Sequence, residues 1–292
     1  MEGSNVASRQ NEDQDAIEEV PWAVRLFKKS PLKQKKLAKI LKYLGAVKGQ
    51  TCLDVGSDNG VISYFLRAKG GTWYSCDLIA ETVASIKQLV EERVDQIDGE
   101  KTPYKTDQFD KVVIVDFLEH IRTDREFINE LYRIIKSNGT LVINVPNPKR
   151  GILRRVRALL GQTDAAHGHL RPGYTLEELR DLLGEGFEIE TQESYSRLFS
   201  VLTDTAITFA LDILKKGSGS KKGTVVTGQD MQKLKKSFLL FSCIYPFVAC
   251  LVKLDDLFPF LHGNMLIVQC KKERVDVPTA IVADDDRPSF IE

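Results

Sequence analysis

Between Thr51 and Val145, short apolar runs alternate with segments of helical period, and no other feature narrows the fold as far. Thr51 to Val55, Thr72 to Cys76, Lys111 to Val115 and Thr140 to Val145 read as strands. Lys111 to Val115 is almost purely β-branched, the pattern of a central strand buried on both faces. Val61 to Ala68, Ala80 to Glu92 and Arg125 to Ile135 read as helices, and Ser137-Asn138-Gly139 turns into the strand that follows. Strand and helix in alternation predict an α/β fold, a parallel sheet with helices on both faces. Ahead of this region Leu37, Ile40, Leu41 and Leu44 repeat at helical spacing over 32–44, and Gly45 and Gly49 close that helix.

After Pro146 the pattern changes. Gly151 to Leu160 reads as a short helix with a basic face. Thr175 to Leu183 opens with the capping box Thr175-Leu176-Glu177-Glu178, and Phe187 to Tyr195 alternates as a strand does. Residues 198–214 and 233–253 read as apolar helices around a Gly, Ser, Lys and Thr loop at 217–228, and Met265 to Cys270 reads as a last strand. The expected organisation is a tail over 1–20, a core over 21–195, an apolar helical insertion over 196–262, a returning core strand over 263–272 and an acidic tail over 273–292.

With 292 residues, 42% of them hydrophobic, the chain can bury a core without staples and is far too apolar to be disordered throughout. Cys52, Cys76, Cys243, Cys250 and Cys270 form no spaced framework and sit in apolar runs. They are expected to be core residues in a reducing compartment, hence a cytoplasmic chain. The opening MEGSNVASRQNEDQD has no apolar stretch, so no secretory leader is expected. Forty-one basic residues balance 41 acidic ones, which argues against a dedicated nucleic-acid partner. The charge is uneven, however. Residues 21–48 hold nine Lys and Arg and no acid, and Lys215 to Lys236 holds seven Lys against one Asp.

Leu53-Asp54-Val55-Gly56-Ser57-Asp58-Asn59-Gly60 leads from the first strand into a helix. Gly56 permits a sharp turn and close approach to a ligand, and Gly60 permits tight packing at the helix start. The helix start offers N–H groups to a polar ligand. Asp77 closes the second strand, where a carboxylate can accept both ribose hydroxyls of a nucleoside. The spacing is not the G-x-G-x-x-G of dinucleotide sites, and Asp58 inside the loop would repel a pyrophosphate. A zwitterionic sulfonium cofactor, S-adenosylmethionine, tolerates it.

This segment resembles motif I of the class I S-adenosylmethionine-dependent methyltransferases, whose pattern is close to D-x-G-x-G-x-G. Asp58 stands where the central Gly is usual. The other landmarks follow in order: Asp77, Asp98-Gly99, FDKVVIVDFLEHI, IIKSNGTLVINVPNP, HGHLRPGYTLEELRDLLGEGFEIE and NMLIVQCKK. The likeness covers about residues 45–195 and 263–272. It implies a Rossmann-like seven-stranded sheet in the order 3-2-1-4-5-7-6 with one antiparallel strand. It also implies cofactor contacts at Asp54, Gly56, Ser57, Asp58, Gly60, Asp77, Leu78, Asp98, Gly99 and Asp116. Asp116-Phe117-Leu118-Glu119-His120 is similar to the E-x-x-E-H run of ubiquinone-biosynthesis O-methyltransferases, where that run is linked to a divalent metal. Asp116 in place of Glu shortens one arm and leaves the metal open. Glu119 and His120 also fit a purely structural role.

His169, in the loop after the fifth strand, can act as a base toward an acceptor hydroxyl, and His120 is the second candidate. The expected activity is methyl transfer to an O or N nucleophile of a small, apolar or lipid-linked acceptor. The competing expectation is a methyltransferase fold that has lost catalysis and serves as a binding or assembly module. Nucleic-acid methylation lacks the N/D-P-P-Y/F signature after strand four. The uncharged run from Ser237 to Val252 is shorter than the ~20 residues of a spanning helix and holds Pro246. It is expected either to lie on an anionic membrane surface, at its inner face, or to form a lid over a soluble substrate.

Overall fold

A computed structural model describes residues 20–148, 169–215 and 230–273, with backbone alone at 209–215 and 230–241. The expected helix at 151–160, the loop at 217–228, His167 and most of both tails lie outside the described residues. Two helices, α1 (Trp22–Phe27) and α2 (Pro31–Leu44), come first. Then follow β1 (Thr51–Val55), α3 (Val61–Arg67), β2 (Thr72–Asp77), α4 (Ala80–Val90), β3 (Val94–Gln96) and β4 (Phe109–Val115). A 3-10 turn at Leu118–His120 leads to α5 (Asp124–Ile134) and β5 (Ile135–Pro146). The rest is α6 (Leu176–Leu183), β6 (Phe187–Tyr195), α7 (Leu198–Lys215), α8 (Asp230–Leu254) and β7 (Met265–Lys272).

Seven strands form one sheet in the order β3-β2-β1-β4-β5-β7-β6, parallel except for β7. This is the order and the single reversed strand that the resemblance implies. The pleat sorts side chains to two cores. Leu53, Val55, Val112, Ile114, Leu141 and Ile143 face Leu131 and Leu179 of α5 and α6. Cys52, Val113, Val115 and Val142 face Ile40, Leu44 and Leu66 of α2 and α3.

The capping box forms as expected, Thr175 accepting from the Glu178 N–H and Glu178 from the Thr175 N–H. Four local expectations need correction. The six-residue α1 and three-residue β3 are too short to show a period: α1 was not expected, and β3 only as the third strand that the resemblance implies, without bounds. Ser137-Asn138-Gly139 is not a break before β5 but an irregularity inside it. Phe109 pairs with Ile135 and Lys111 with Thr140, and Asn138 takes a left-handed φ of 59° to absorb the extra residues. Pro246 does not interrupt α8. A proline inside a helix costs one backbone bond, and burial of Val248 and Val252 beyond it offsets that cost. Cys52, Cys76 and Cys270 are buried as expected, but Cys243 and Cys250 are exposed, on the outward side of α8.

Asp255 fastens the segment between β6 and β7. Its wholly buried carboxylate accepts from the N–H groups of Arg197 (2.8 Å), Phe199 (2.9 Å) and Ser200 (3.3 Å), capping α7 from a distant turn. Lys35 of α2 stands 3.9 Å from the same carboxylate and 3.0 Å from that of Asp256. Asp255→Ala leaves these donors buried and unanswered, and is expected to cost about 2–4 kcal/mol. A thermal melt checks it; a melting temperature within a degree of wild type contradicts it.

Candidate functional site

The carboxyl ends of β1, β2 and β4 meet at one edge of the sheet, where open α/β sheets leave a crevice. Asp54 builds the turn after β1. Its carboxylate is wholly buried and accepts from Ser57, from Ser63 at 2.7 Å and from Ser75 at 2.7 Å, with Arg67 3.5 Å away. Asp54 and Ser57 were expected among the cofactor contacts, but their side chains face inward. They fix the turn and leave its backbone to meet a ligand.

Gly56 holds φ at 80°, and a Cβ there would stand 2.6 Å from the Val115 carbonyl oxygen and 2.8 Å from Phe117 Cβ. Only glycine lets β1 turn beside β4 so closely. Gly60, with φ 78°, begins α3 with its α-carbon pressed toward Ile86 of α4. Asp58 lies between them, exposed, at φ 52°. That is the left-handed conformation for which glycine is usual at this position, and Asp is among the few other residues that adopt it readily. The departure from the motif therefore keeps the backbone and adds a carboxylate at the rim.

Asp77 ends β2 nearly buried, 8% exposed, with the Ile79 N–H donating at 3.3 Å. Burial pushes its pKa up to about 6 against the pull of the Ile79 and Leu78 N–H groups. Leu78 is half-buried beside it. Gly99, φ 86°, brings its backbone against Ile121 and Leu78. Asp98 is exposed and closes its own turn, accepting from the N–H groups of Glu100 at 2.8 Å and Lys101 at 2.9 Å. The Lys101 bond first, then that of Glu100, holds its carboxyl below the usual range.

Past β4, Asp116 takes φ 47° and turns its carboxylate into a polar chain. Asn144 of β5 donates to one oxygen at 2.9 Å, and Tyr195 of β6 donates to the Asn144 carbonyl at 2.5 Å. Lys36 of α2 donates to the other oxygen. Burial works against the Lys36 charge, but Asp116, with Glu119 and Asp58 behind it, outweighs burial and raises the ammonium pKa. None of these three partners was among the expected site residues. Asn144 was visible as the lone amide in the apolar run 140–145; Lys36 is one lysine among several on its helix.

Glu119 is wholly buried, and neither carboxylate oxygen has a hydrogen-bond partner. Burial, then the charge of Asp116, pushes its pKa up to about 8. His120 and His169 lie against it, rings edge to face at 4.8 Å between centroids. Two tethers bring these distant segments together. Leu170 donates its N–H to the Glu119 carbonyl at 2.9 Å, and Tyr174 donates to the Leu118 carbonyl at 3.1 Å. Ligand atoms of Glu119, His120 and His169 all lie within 4.8 Å of one another. Two imidazoles and an unanswered carboxylate are a donor set for a divalent cation, while Asp116 is taken up by Asn144 and Lys36 and stands apart from that set.

Residues 53–143 match a family model described as a methyltransferase domain. A ubiquinone/menaquinone biosynthesis C-methyltransferase of Cereibacter sphaeroides is 28% identical over 122 residues, 37% of this chain and 49% of that protein. A ubiquinone biosynthesis O-methyltransferase of Pseudomonas putida is 30% identical over 118 residues, 38% of this chain and 51% of that protein. The matched region thus spans about half the length of these curated relatives. A solved structure of Haemonchus contortus phosphoethanolamine N-methyltransferase 2 with S-adenosyl-L-methionine superposes with a TM-score of 0.51 at 16% identity, covering 82% of this chain and 53% of that one. The fold is the Rossmann-like fold of class I methyltransferases.

Proposed function

We propose that this chain, whose core is a class I methyltransferase domain, binds S-adenosylmethionine and transfers its methyl group to an O or N nucleophile of a small acceptor. The observation that carries the reading is the pairing of the Gly56 turn with Asp77 across one sheet edge, a backbone that admits a ligand beside a carboxylate that needs donors. In this reading the bound cofactor supplies an electrophilic sulfonium methyl, whose bond to sulfur breaks as the bond to the acceptor forms, leaving S-adenosylhomocysteine.

Asp77 would accept the two ribose hydroxyls. Gly99 and Leu78 would border the adenine, with the Asp98 turn behind them. Asp58 would face the cofactor's ammonium. Lys36, a cation set among Asp58, Asp116 and Glu119, is suited to the cofactor's one anionic group, its carboxylate. The acceptor would enter beside His120 and His169, and His169 would receive the proton that the nucleophile loses. Much of the rate would come from positioning, because the sulfonium needs little further activation. Were Glu119, His120 and His169 instead to hold a divalent cation, the cation would polarise the acceptor oxygen and His169 would be its ligand rather than the base. The acceptor is read as apolar or lipid-linked, met at the inner face of a membrane. The curated relatives named for ubiquinone biosynthesis support a small-molecule acceptor.

Calorimetric titration tests the reading. Wild-type protein is expected to bind S-adenosylhomocysteine saturably and methylthioadenosine, which lacks the amino-acid tail, more weakly. Lys36→Met should weaken S-adenosylhomocysteine about tenfold and leave methylthioadenosine unchanged, since one charge-assisted bond contributes about 1.5 kcal/mol or more. Folded wild-type protein that binds neither ligand would favour the competing binding-module reading.

A further inference from the structure

We infer that the segment between β6 and β7 docks on an anionic membrane surface through the turn after α8 and the outward sides of α7 and α8. Among the described residues eight large apolar side chains are exposed, and five of them belong to this segment: Leu198, Leu202, Phe247, Leu257 and Phe260. Phe247 is 68% exposed, Leu257 69% and Phe260 78%, so these side chains are in solvent rather than under a lid. Leu198 and Leu202 stand one turn apart on α7, hence on one side of it. Ring contacts tie that end of α7 to the turn: Phe199 to Phe258 at 5.8 Å and Phe258 to Phe260 at 5.9 Å.

The division of α8 fits an interfacial helix better than a core helix. Val248 and Val252 point inward and are buried, while Cys243, Phe247 and Cys250 follow one another on the outward side. No charged residue occurs from Ser237 to Val252. A soluble helix normally turns a charged face to water; between 242 and 252 this one turns out an aromatic ring and two thiols. Among the described residues no helix is long and apolar enough to cross a membrane, so the fitting arrangement is one lying in the interface.

Charge selects the partner. In sequence, Lys215 to Lys236 carries seven lysines against Asp230; Lys233, Lys235 and Lys236 fall in the first turns of α8, and Lys253 is exposed at its other end. The two acids of the turn after α8 are answered: Asp255 is buried as the cap of α7, and Asp256 pairs with Lys35. An apolar helix side with lysines in the sequence at both ends of the helix is the combination that anionic lipid attracts. Docking would bring the active edge to a lipid-linked acceptor, and for that purpose it rests on the methyl-transfer reading.

The 292-residue chain is floated with vesicles of phosphatidylcholine alone and with one quarter phosphatidylglycerol. Binding is expected to the anionic vesicles, much weaker binding to neutral ones, and a loss of binding in high salt as surface charge is screened. Phe247→Ser with Phe260→Ser, and separately Lys233, Lys235 and Lys236 to Gln, are each expected to reduce anionic-vesicle binding about tenfold or more. Their melting temperature and S-adenosylhomocysteine affinity should remain those of wild type. No flotation, or flotation untouched by either set of changes, overturns the inference. So does a dimer in solution that the Phe changes dissolve, since the face would then belong to a second copy. Failure of the cofactor titration with flotation intact would instead strike the methyl-transfer reading alone.

Discussion

Asp77→Ala is expected to lower affinity for S-adenosylmethionine by roughly 100-fold while the ligand-free protein stays folded. Two ribose hydroxyls donating to one carboxylate contribute about 1.5–3 kcal/mol each, and each 1.4 kcal/mol is about tenfold. The ligand-free protein should not suffer, because this carboxylate is held at a cost: burial lifts its pKa from 3.8 to about 6. An acid whose folded-state pKa lies above its unfolded value disfavours the fold as pH rises from about 4 to about 6, so removing it relieves the protein at neutral pH. Binding runs the other way. The hydroxyl donors favour the ionised form, so wild-type affinity should fall by up to tenfold per unit as pH drops below about 6. Titration calorimetry of both proteins across pH 5–8 measures all of this. Equal affinities would mean that Asp77 does not meet the ribose.

Six of the seven strands and the Gly56 turn were legible because each rests on local pattern: β-branched runs, a strand-end acid, glycines at forced turns; the strand order came from the family resemblance alone. What escaped was set by long-range contact. Lys36 reaches Asp116 across 80 positions of sequence, and nothing on α2 distinguishes it from Lys35, which turns instead to Asp256. Glu119 and His120 were readable as a run. That His169 would close on them depends on Leu170 and Tyr174 pinning one loop to the other. The part Asp54 plays in the turn escaped for a similar reason: a motif acid at a strand end reads as a ligand contact, and only the fold shows its carboxylate accepting from Ser63 and Ser75. Pro246 weighed too heavily in the sequence, because one missing backbone bond is a small loss for a helix of 25 residues packed along one side.

The strongest dependence on pH is expected at Glu119. In the unfolded chain its carboxyl ionises near the ordinary 4.5, whereas in the fold burial and the charge of Asp116 hold the proton until about pH 8. The folded pKa again lies above the unfolded one, so the group costs nothing below about pH 4. Its penalty grows as pH rises between the two values and is constant above. Each unit is about 1.4 kcal/mol, which makes the penalty on the order of 4 kcal/mol at pH 8. For a chain of this size that is about 10 °C of melting temperature. Glu119→Gln removes the ionisation, though its amide stays buried at a cost of about 1–3 kcal/mol. The variant should therefore start below wild type at pH 5, where the native acid is neutral, and lose far less on going to pH 8. Melting curves from pH 4 to 9 would show two converging or crossing lines. Parallel lines would mean that Glu119 is answered by a donor and ionises normally. A carboxyl kept where it weakens the fold, beside two histidines, is what a site retained for chemistry would contain.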